Sequence, residues 1–221
     1  MLSIALIVIA VLFLAPPLLF LVCLKVAPRP LLQWVDNRAY KALDVDAYNR
    51  NSPYNAPGFK PVHTLCSNAV LQVSGKIPDD LEGVYLRNGT NLQFEQTNGR
   101  YHMFNGAGML HQVQIKAGKA SYSNTYVKTP RYQIEDAMGQ DQYLHFGDLA
   151  GGGKAGLVRM AVAALKQRSG VLPALEVLES GSSTTAVQYH HSKLYCLQET
   201  GYPFALNTRL EIGYLILDSE G

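Results

Sequence analysis

Hydrophobic and polar positions change rhythm several times along the chain. Leu2–Leu24 is almost unbroken hydrocarbon, interrupted by Ser3 and the pair Pro16-Pro17. At 1.5 Å per residue that run is long enough to cross a bilayer core of about 30 Å. Leu31, Leu32, Val35 and Ala39 then recur at helical spacing, with Trp34 as an interfacial anchor. Asn49–Pro61 is a polar linker punctuated by Pro and Gly. From His63 the texture becomes short alternating runs: Ala69–Val73, Val84–Arg87, Tyr101–Phe104, Leu110–Lys116 and Ala120–Lys128. Turn chemistry separates them at Pro78-Asp79-Asp80, Asn88-Gly89, Asn98-Gly99, Asn105–Gly108 and Lys116–Lys119. Gly151-Gly152-Gly153 breaks the pattern, and Ala155–Arg168 reads as one helix. Strands resume after Pro173 at Thr184–Tyr189, Lys193–Glu199 and Phe204–Leu217. Many short strands at near-regular spacing predict a mainly β chain of the sandwich, barrel or propeller type, with a few helices.

This organisation gives three parts. Residues 1–25 form a transmembrane anchor or signal, 26–54 a juxtamembrane helical segment and linker, and 55–221 the β region. A signal peptide would carry a basic n-region and a small-residue cleavage site. Here Lys25, Arg29 and Arg38 all follow the apolar run, which predicts an anchored chain with its downstream part cytosolic. A signal or targeting peptide is the alternative. Asn88-Gly89-Thr90 is an N-glycosylation acceptor that matters only in a lumen, and sugar on Asn88 would contradict the cytosolic topology.

The helix Ala155–Arg168 has two readings. Leu157, Met160, Ala161, Ala164 and Leu165 cover most of its circumference, as in a core-packed helix. Flanked by Lys154, Arg159, Lys166 and Arg168, it also reads as an interfacial helix dipping into lipid.

Composition narrows the chemistry. A net charge of +2 without a basic stripe excludes nucleic acid as partner. Cys23, Cys66 and Cys196 lack CxxC spacing, so neither a disulfide framework nor a thiolate metal site is implied. Six histidines (His63, His102, His111, His145, His190, His191) show no HExxH or HxH pair, and His190-His191 on a strand would face opposite ways. There is no GxSxG elbow and no complete phosphate loop at the triple glycine. Asp79, Asp80 and Glu82 cluster in a turn as solvated carboxylates. No catalytic constellation assembles by spacing alone.

A family resemblance rests on Gly75-Lys-Ile-Pro78 with Leu81-Glu-Gly-Val-Tyr-Leu-Arg-Asn-Gly89, then Tyr101-His-Met-Phe-Asn-Gly-Ala-Gly-Met-Leu-His111. It continues through Gly118–Tyr122, Tyr126–Thr129, Val187–His190, Lys193-Leu194 and Glu199-Thr-Gly-Tyr-Pro203. In order and spacing, from about Pro53 to Gly213, these segments resemble the carotenoid cleavage oxygenases. The resemblance implies a seven-bladed β-propeller with a helical cap, an Fe(II) held by four histidines, and cleavage of a conjugated alkene by O₂ to two carbonyl products. The implied partners are O₂, an apolar polyene (carotenoid or apocarotenoid) and the lipid bilayer.

Carried over residue by residue, Glu199 matches a glutamate that orients an iron-binding imidazole. Phe104 and Phe146 match aromatics of the substrate cavity, and Gln198 stands where lignostilbene cleavers carry a lysine. Phe146 replaces their tyrosine, so both substitutions favour an apolar polyene over a phenolic stilbene. Asn105-Gly-Ala-Gly-Met109 lacks the two acids of the family's Asp-Gly-Asp-Gly-Met. The helix Ala155–Arg168 falls where membrane-bound relatives carry a lipid-dipping patch. The family's first iron ligand lies beyond the Glu199 segment, so no catalytic residue and no metal ligand is assigned here. The expectation is an incomplete propeller, its first two or three blades only. The chain is thus expected to be a fragment of a longer Fe(II) enzyme; the alternative is a catalytically inactive, membrane-anchored homologue acting as a binding or interaction protein. An unrelated propeller hydrolase would need paired carboxylates at a blade mouth, which the sequence does not offer.

Overall fold

Prolines open the first helix where they do no harm. Pro28 and Pro30 sit in its first turn, whose N–H groups have no intrahelical partner anyway. The computed structural model describes residues 17, 19, 21–22, 25–42, 60–94, 104–144, 153–176, 178–206, 208–211 and 214–217. Among them the elements run α1 (Pro28–Lys41), β1 (Ala69–Val70), β2 (Gly83–Asn91), β3 (Ala107–Lys116), β4 (Lys119–Tyr126), α2 (Pro130–Met138), α3 (Gly153–Arg168), β5 (Ala186–His190), β6 (Lys193–Leu197), β7 (Phe204–Leu206), β8 (Thr208–Glu211) and β9 (Tyr214–Leu217). They divide into two units: Met1–Asp44 with Asp148–Ala174, and Val45–Gly147 with Leu175–Gly221.

In the first unit α1 packs against α3. In α1, Leu32 and Ala39 are buried as their helical spacing predicts, while Trp34 is exposed with Arg38 over its ring. Helix α3 departs from expectation. Gly156, Val162 and Lys166 are buried, whereas Leu157, Val158, Met160, Ala161 and Ala164 are exposed. What it buries against α1 is charge: Arg159 Nε and Lys166 Nζ each lie 3.0 Å from Asp36, and Lys166 also donates to Gln33 Oε1. Of the residues expected to pack the core, Leu157, Met160, Ala161 and Ala164 thus face outward and Leu165 is half-buried, and two of the expected flanking cations, Arg159 and Lys166, face inward. Among the described residues no helix is long and apolar enough to cross a membrane; the predicted span Leu2–Leu24 lies almost wholly outside them.

The second unit is antiparallel sheet. Strands β2, β3 and β4 form a meander, with β1 on the far side of β4, giving the order β1-β4-β3-β2. Ala117 and Gly118 connect β3 to β4 with φ of 47° and 73°, the I′-like geometry that suits strand twist. His191 and Ser192, at 47° and 61°, do the same between β5 and β6. His191 is therefore a turn residue rather than the strand neighbour of His190 that the sequence suggests. Strands β5-β6-β7 form a second sheet, and β8-β9 a two-stranded ladder. Leu110, Val127, Leu194 and Cys196 form a core that draws on both larger sheets, packed by Val84, Leu86, Val187, Phe204 and Leu206. Burial pushes the Cys196 thiol up to about 12, in keeping with a structural cysteine.

Two elements differ from the sequence expectation. Strand β2 does not end at Asn88-Gly89 but runs to Asn91, with Asn88, Gly89 and Thr90 paired to Leu110, Met109 and Gly108. Phe104 lies in a turn before β3 rather than in a returning strand, and Tyr101–Met103 fall outside the described residues. Helix α2, unassigned from sequence, begins at Thr129, whose side chain accepts from Tyr132 N, and ends at Gly139 with φ 68°.

Candidate functional site

The residues singled out from sequence converge only in part. Gln198, at the end of β6, turns its oxygen inward: Oε1 accepts from Ser182 N at 2.5 Å, Ser183 N at 2.9 Å and Ser182 Oγ at 3.1 Å. Its Nε2 donates to Thr200 Oγ1. It therefore holds the segment leading into β5. A lysine, which has donors only, could not replace that oxygen. Glu199 is exposed in the next turn. Phe104 is 40% exposed at the turn preceding β3. Phe146 lies outside the described residues.

The segment held by Gln198 is braced from the other sheet as well. Gly108 N donates to Ser182 O at 2.9 Å, and a Cβ on Gly108 would run into the Ser182 and Ser183 carbonyl oxygens. Only glycine allows that approach. Asn88 Nδ2 donates to Ser183 O at 2.8 Å and Ala186 O at 2.9 Å. Ser182, Ser183 and Thr184 are consequently buried polar residues at the seam between the two sheets.

Beside the seam lies a small polar notch with room for about one water, lined by Gln93, Asn105, Thr129, Arg131, Glu135 and Ser182, among others. The turn carrying Phe104 and the segment anchored by Gln198 thus share one neighbourhood through Asn105 and Ser182, and Glu199 does not line it. Inside the notch wall, Glu135 is buried but well satisfied: it accepts from Arg131 Nε at 3.2 Å and from the Gln142 and Tyr143 N–H groups at 3.0 Å each. Burial, aided by Asp136 and Tyr126, pushes the Tyr132 hydroxyl up to about 12; burial and Glu135 do the same for Tyr143. Both phenols stay protonated at any physiological pH. The notch holds no activated nucleophile.

These residues escape a reading by motif because their partners are distant in sequence, Asn88 and Ser183 being 95 positions apart. Thr129-Pro130 and Gly139 were the local signals that could have announced α2, and with it Arg131 and Glu135. Among the described residues no three His, Cys, Asp or Glu side chains gather around a point, and His102 and His145 lie outside them. His111 instead sits in β3 with Nδ1 2.7 Å from Tyr122 Oη and Arg87 opposite it on β2. Burial first, and Arg87 second, hold its imidazole below the usual range.

Comparison with known proteins gives these features a context. The sequence profile of the family described as retinal pigment epithelial membrane protein matches residues 59–212. A carotenoid 9,10(9',10')-cleavage dioxygenase 1 of Arabidopsis thaliana is 39% identical over 145 residues, covering 66% of this chain and 26% of that protein. A 9-cis-epoxycarotenoid dioxygenase of the same plant, described as chloroplastic, is 33% identical over 148 residues, covering 66% of this chain and 25% of that protein. Among solved structures, the Pseudomonas brassicacearum lignostilbene dioxygenase superposes with a TM-score of 0.55 at 19% identity, over 77% of this chain and 31% of that one. That likeness is one of fold. The chain spans about a quarter of the length of the curated relatives it matches. With the profile match covering most of the chain and the sheets superposing on a relative's fold, this protein belongs to the carotenoid cleavage oxygenase family.

Proposed function

We propose that the chain is part of an enzyme that cleaves a double bond of a carotenoid or apocarotenoid oxidatively, giving carbonyl products. The family match over residues 59–212 carries this reading, since the relatives compared above are dioxygenases named for carotenoid substrates. The four-stranded and three-stranded sheets are then successive blades of a seven-bladed propeller, consistent with their antiparallel order.

Fe(II) would supply the activation of O₂ when bound. The described residues do not make an iron site, so their part in the reaction is scaffold and cavity wall. Phe104, and with it Phe146, would line an apolar channel for the polyene. Glu199, exposed at the end of β6, is free to accept a hydrogen bond from an imidazole and fix its orientation. Gln198, an uncharged amide, offers no cation at the place where a phenolate-binding lysine would act, and its oxygen is taken by Ser182 and Ser183.

The same reading makes the bilayer the source of substrate. Leu2–Leu24 anchors the chain with its downstream part in the cytosol, and the exposed Leu157, Val158 and Met160 of α3 enter the lipid surface. Co-sedimentation with phosphatidylcholine vesicles tests the last point, and loss of α3 binding in a Leu157→Ser/Met160→Ser chain is expected.

The decisive experiment is aldehyde formation from β-carotene and apocarotenals by the whole protein loaded with iron. Failure to cleave any polyene with iron bound would refute the reading.

A further inference from the structure

Asn88-Gly89-Thr90 is the only Asn-x-Ser/Thr acceptor in the 221 residues. Such acceptors are used on surface loops. This one lies in the paired stretch of β2, facing Leu110, Met109 and Gly108 across the ladder. Its reacting group is already engaged. Asn88 Nδ2 has two hydrogens, and they go to Ser183 O at 2.8 Å and Ala186 O at 2.9 Å. The Thr90 hydroxyl oxygen, the second group that defines the acceptor, receives Gly106 N–H at 3.1 Å.

Rotating the Asn88 amide would not free the nitrogen harmlessly, because it would aim Oδ1 at two carbonyl oxygens. The segment opposite cannot withdraw either. Ser182 and Ser183 are held by Gln198 Oε1 from one side and by the bare backbone of Gly108 from the other. A sugar on Nδ2 would have to fit into a gap of hydrogen-bond length between β2 and the lead into β5.

We propose that Asn88 is a modification site that excludes the native fold: the unfolded chain accepts an N-glycan there, the folded chain does not, and a chain glycosylated at Asn88 cannot dock β5 against β2. In the modification, the amide nitrogen displaces the lipid pyrophosphate from C1 of a lipid-linked oligosaccharide. One N–C bond forms, one C–O bond breaks, and the lipid pyrophosphate and an amide proton leave. With the downstream part in the cytosol as proposed above, sugar on Asn88 would mark only chain that had reached a glycosylating lumen unfolded.

The test uses a purified single-subunit oligosaccharyltransferase and a lipid-linked oligosaccharide, with the added glycan read by mass spectrometry. Three acceptors are compared: the folded full chain, the full chain diluted from urea into the reaction, and a peptide spanning Val84–Gln93. The peptide and the refolding chain are expected to be modified, and the folded chain roughly tenfold or more slower, because its modification requires local opening. Equal rates for folded chain and peptide, or no modification of the refolding chain, overturn the proposal. Limited proteolysis then compares glycosylated and unmodified chains from the same reaction. Cleavage in the 175–190 segment is expected only in the glycosylated fraction, and equal resistance of the two overturns the exclusion.

Discussion

In α1 and α3 the buried apolar residues Leu32, Ala39 and Val162 are joined by a charged cluster, with Asp36 shared by Arg159 and Lys166, while Leu157, Val158 and Met160 face outward. In the β-unit Leu110, Val127, Leu194 and Cys196 are inside and Arg87, Gln188 and Lys193 outside, and there too an ion pair, Arg131 with Glu135, is buried. Burying ions costs several kcal/mol each in desolvation, which their mutual attraction repays only with good geometry. An apolar outer face has no such cost when its neighbour is lipid. The difference is one of degree: α3 leaves Leu157, Val158 and Met160 exposed, whereas the β-unit encloses Leu110, Val127, Leu194 and Cys196.

Substitutions can break this contrast. Asp36→Ala leaves two buried cations without their anion, and about 3–5 kcal/mol of helix-pair stability should be lost. Trp34, the sole tryptophan, lies in α1 and reports the loss by fluorescence during urea unfolding. Replacing Asp36, Arg159 and Lys166 together by Leu, Met and Met should instead be neutral or stabilising, which separates ionic geometry from mere packing. In the β-unit, Leu110→Ala should cost about 2–5 kcal/mol in circular dichroism melts, through lost burial and the cavity left behind. Asn88→Ala leaves the Ser183 and Ala186 carbonyls without their donor and should cost about 1–3 kcal/mol; an unchanged urea midpoint would remove the seam from the account.

The pH dependence gives a smaller effect. His111 has its folded pKa lowered below the ordinary 6.5, so the unfolded chain takes up a proton first as pH falls. Stability is thus complete above about 6.5 and declines below it, because burial and then Arg87 oppose the protonated ring. His111→Gln should flatten that decline. Smallest of all, Lys76→Ala breaks an ion pair with Asp79 whose side chains are 78% and 83% exposed, and should change stability by less than about 0.5 kcal/mol.

Some of this was legible in the sequence. Pro78-Asp79-Asp80 forms the expected turn, with Leu81 N donating to Pro78 O, because everything it needs lies within four residues. The Ala117-Gly118 hairpin and the alternation of Val84–Arg87 are local in the same sense. Asn88-Gly89 misleads for the opposite reason. Its composition suits a turn, yet the Asn88 amide is satisfied by backbone far along the chain, which lets β2 continue. Helix α3 misleads because a count of apolar positions cannot say which face meets α1, and Asp36 on the other helix decides it. Gln198 reads as a cavity position only by resemblance; its three donors became visible with the fold. Glu199 and Phe104 likewise draw their roles from the family rather than from local pattern.

The 95-residue separation between Asn88 and Ser183 also sets a clock. The β2–β3–β4 meander closes short loops and can form as soon as its strands are available, whereas the seam must wait for a distant segment. At synthesis rates of about 5–20 residues per second, Ser183 follows Asn88 out of the ribosome after roughly 5–20 s. The first sheet is complete only once Tyr126 has emerged, so for roughly the last 3–11 s of that interval it can stand with its seam edge uncovered, and a chaperone or a neighbouring nascent chain can reach Asn88 before its own partner does. Speeding elongation through codons 89–183 should shorten the exposure and raise the yield of correctly joined sheets.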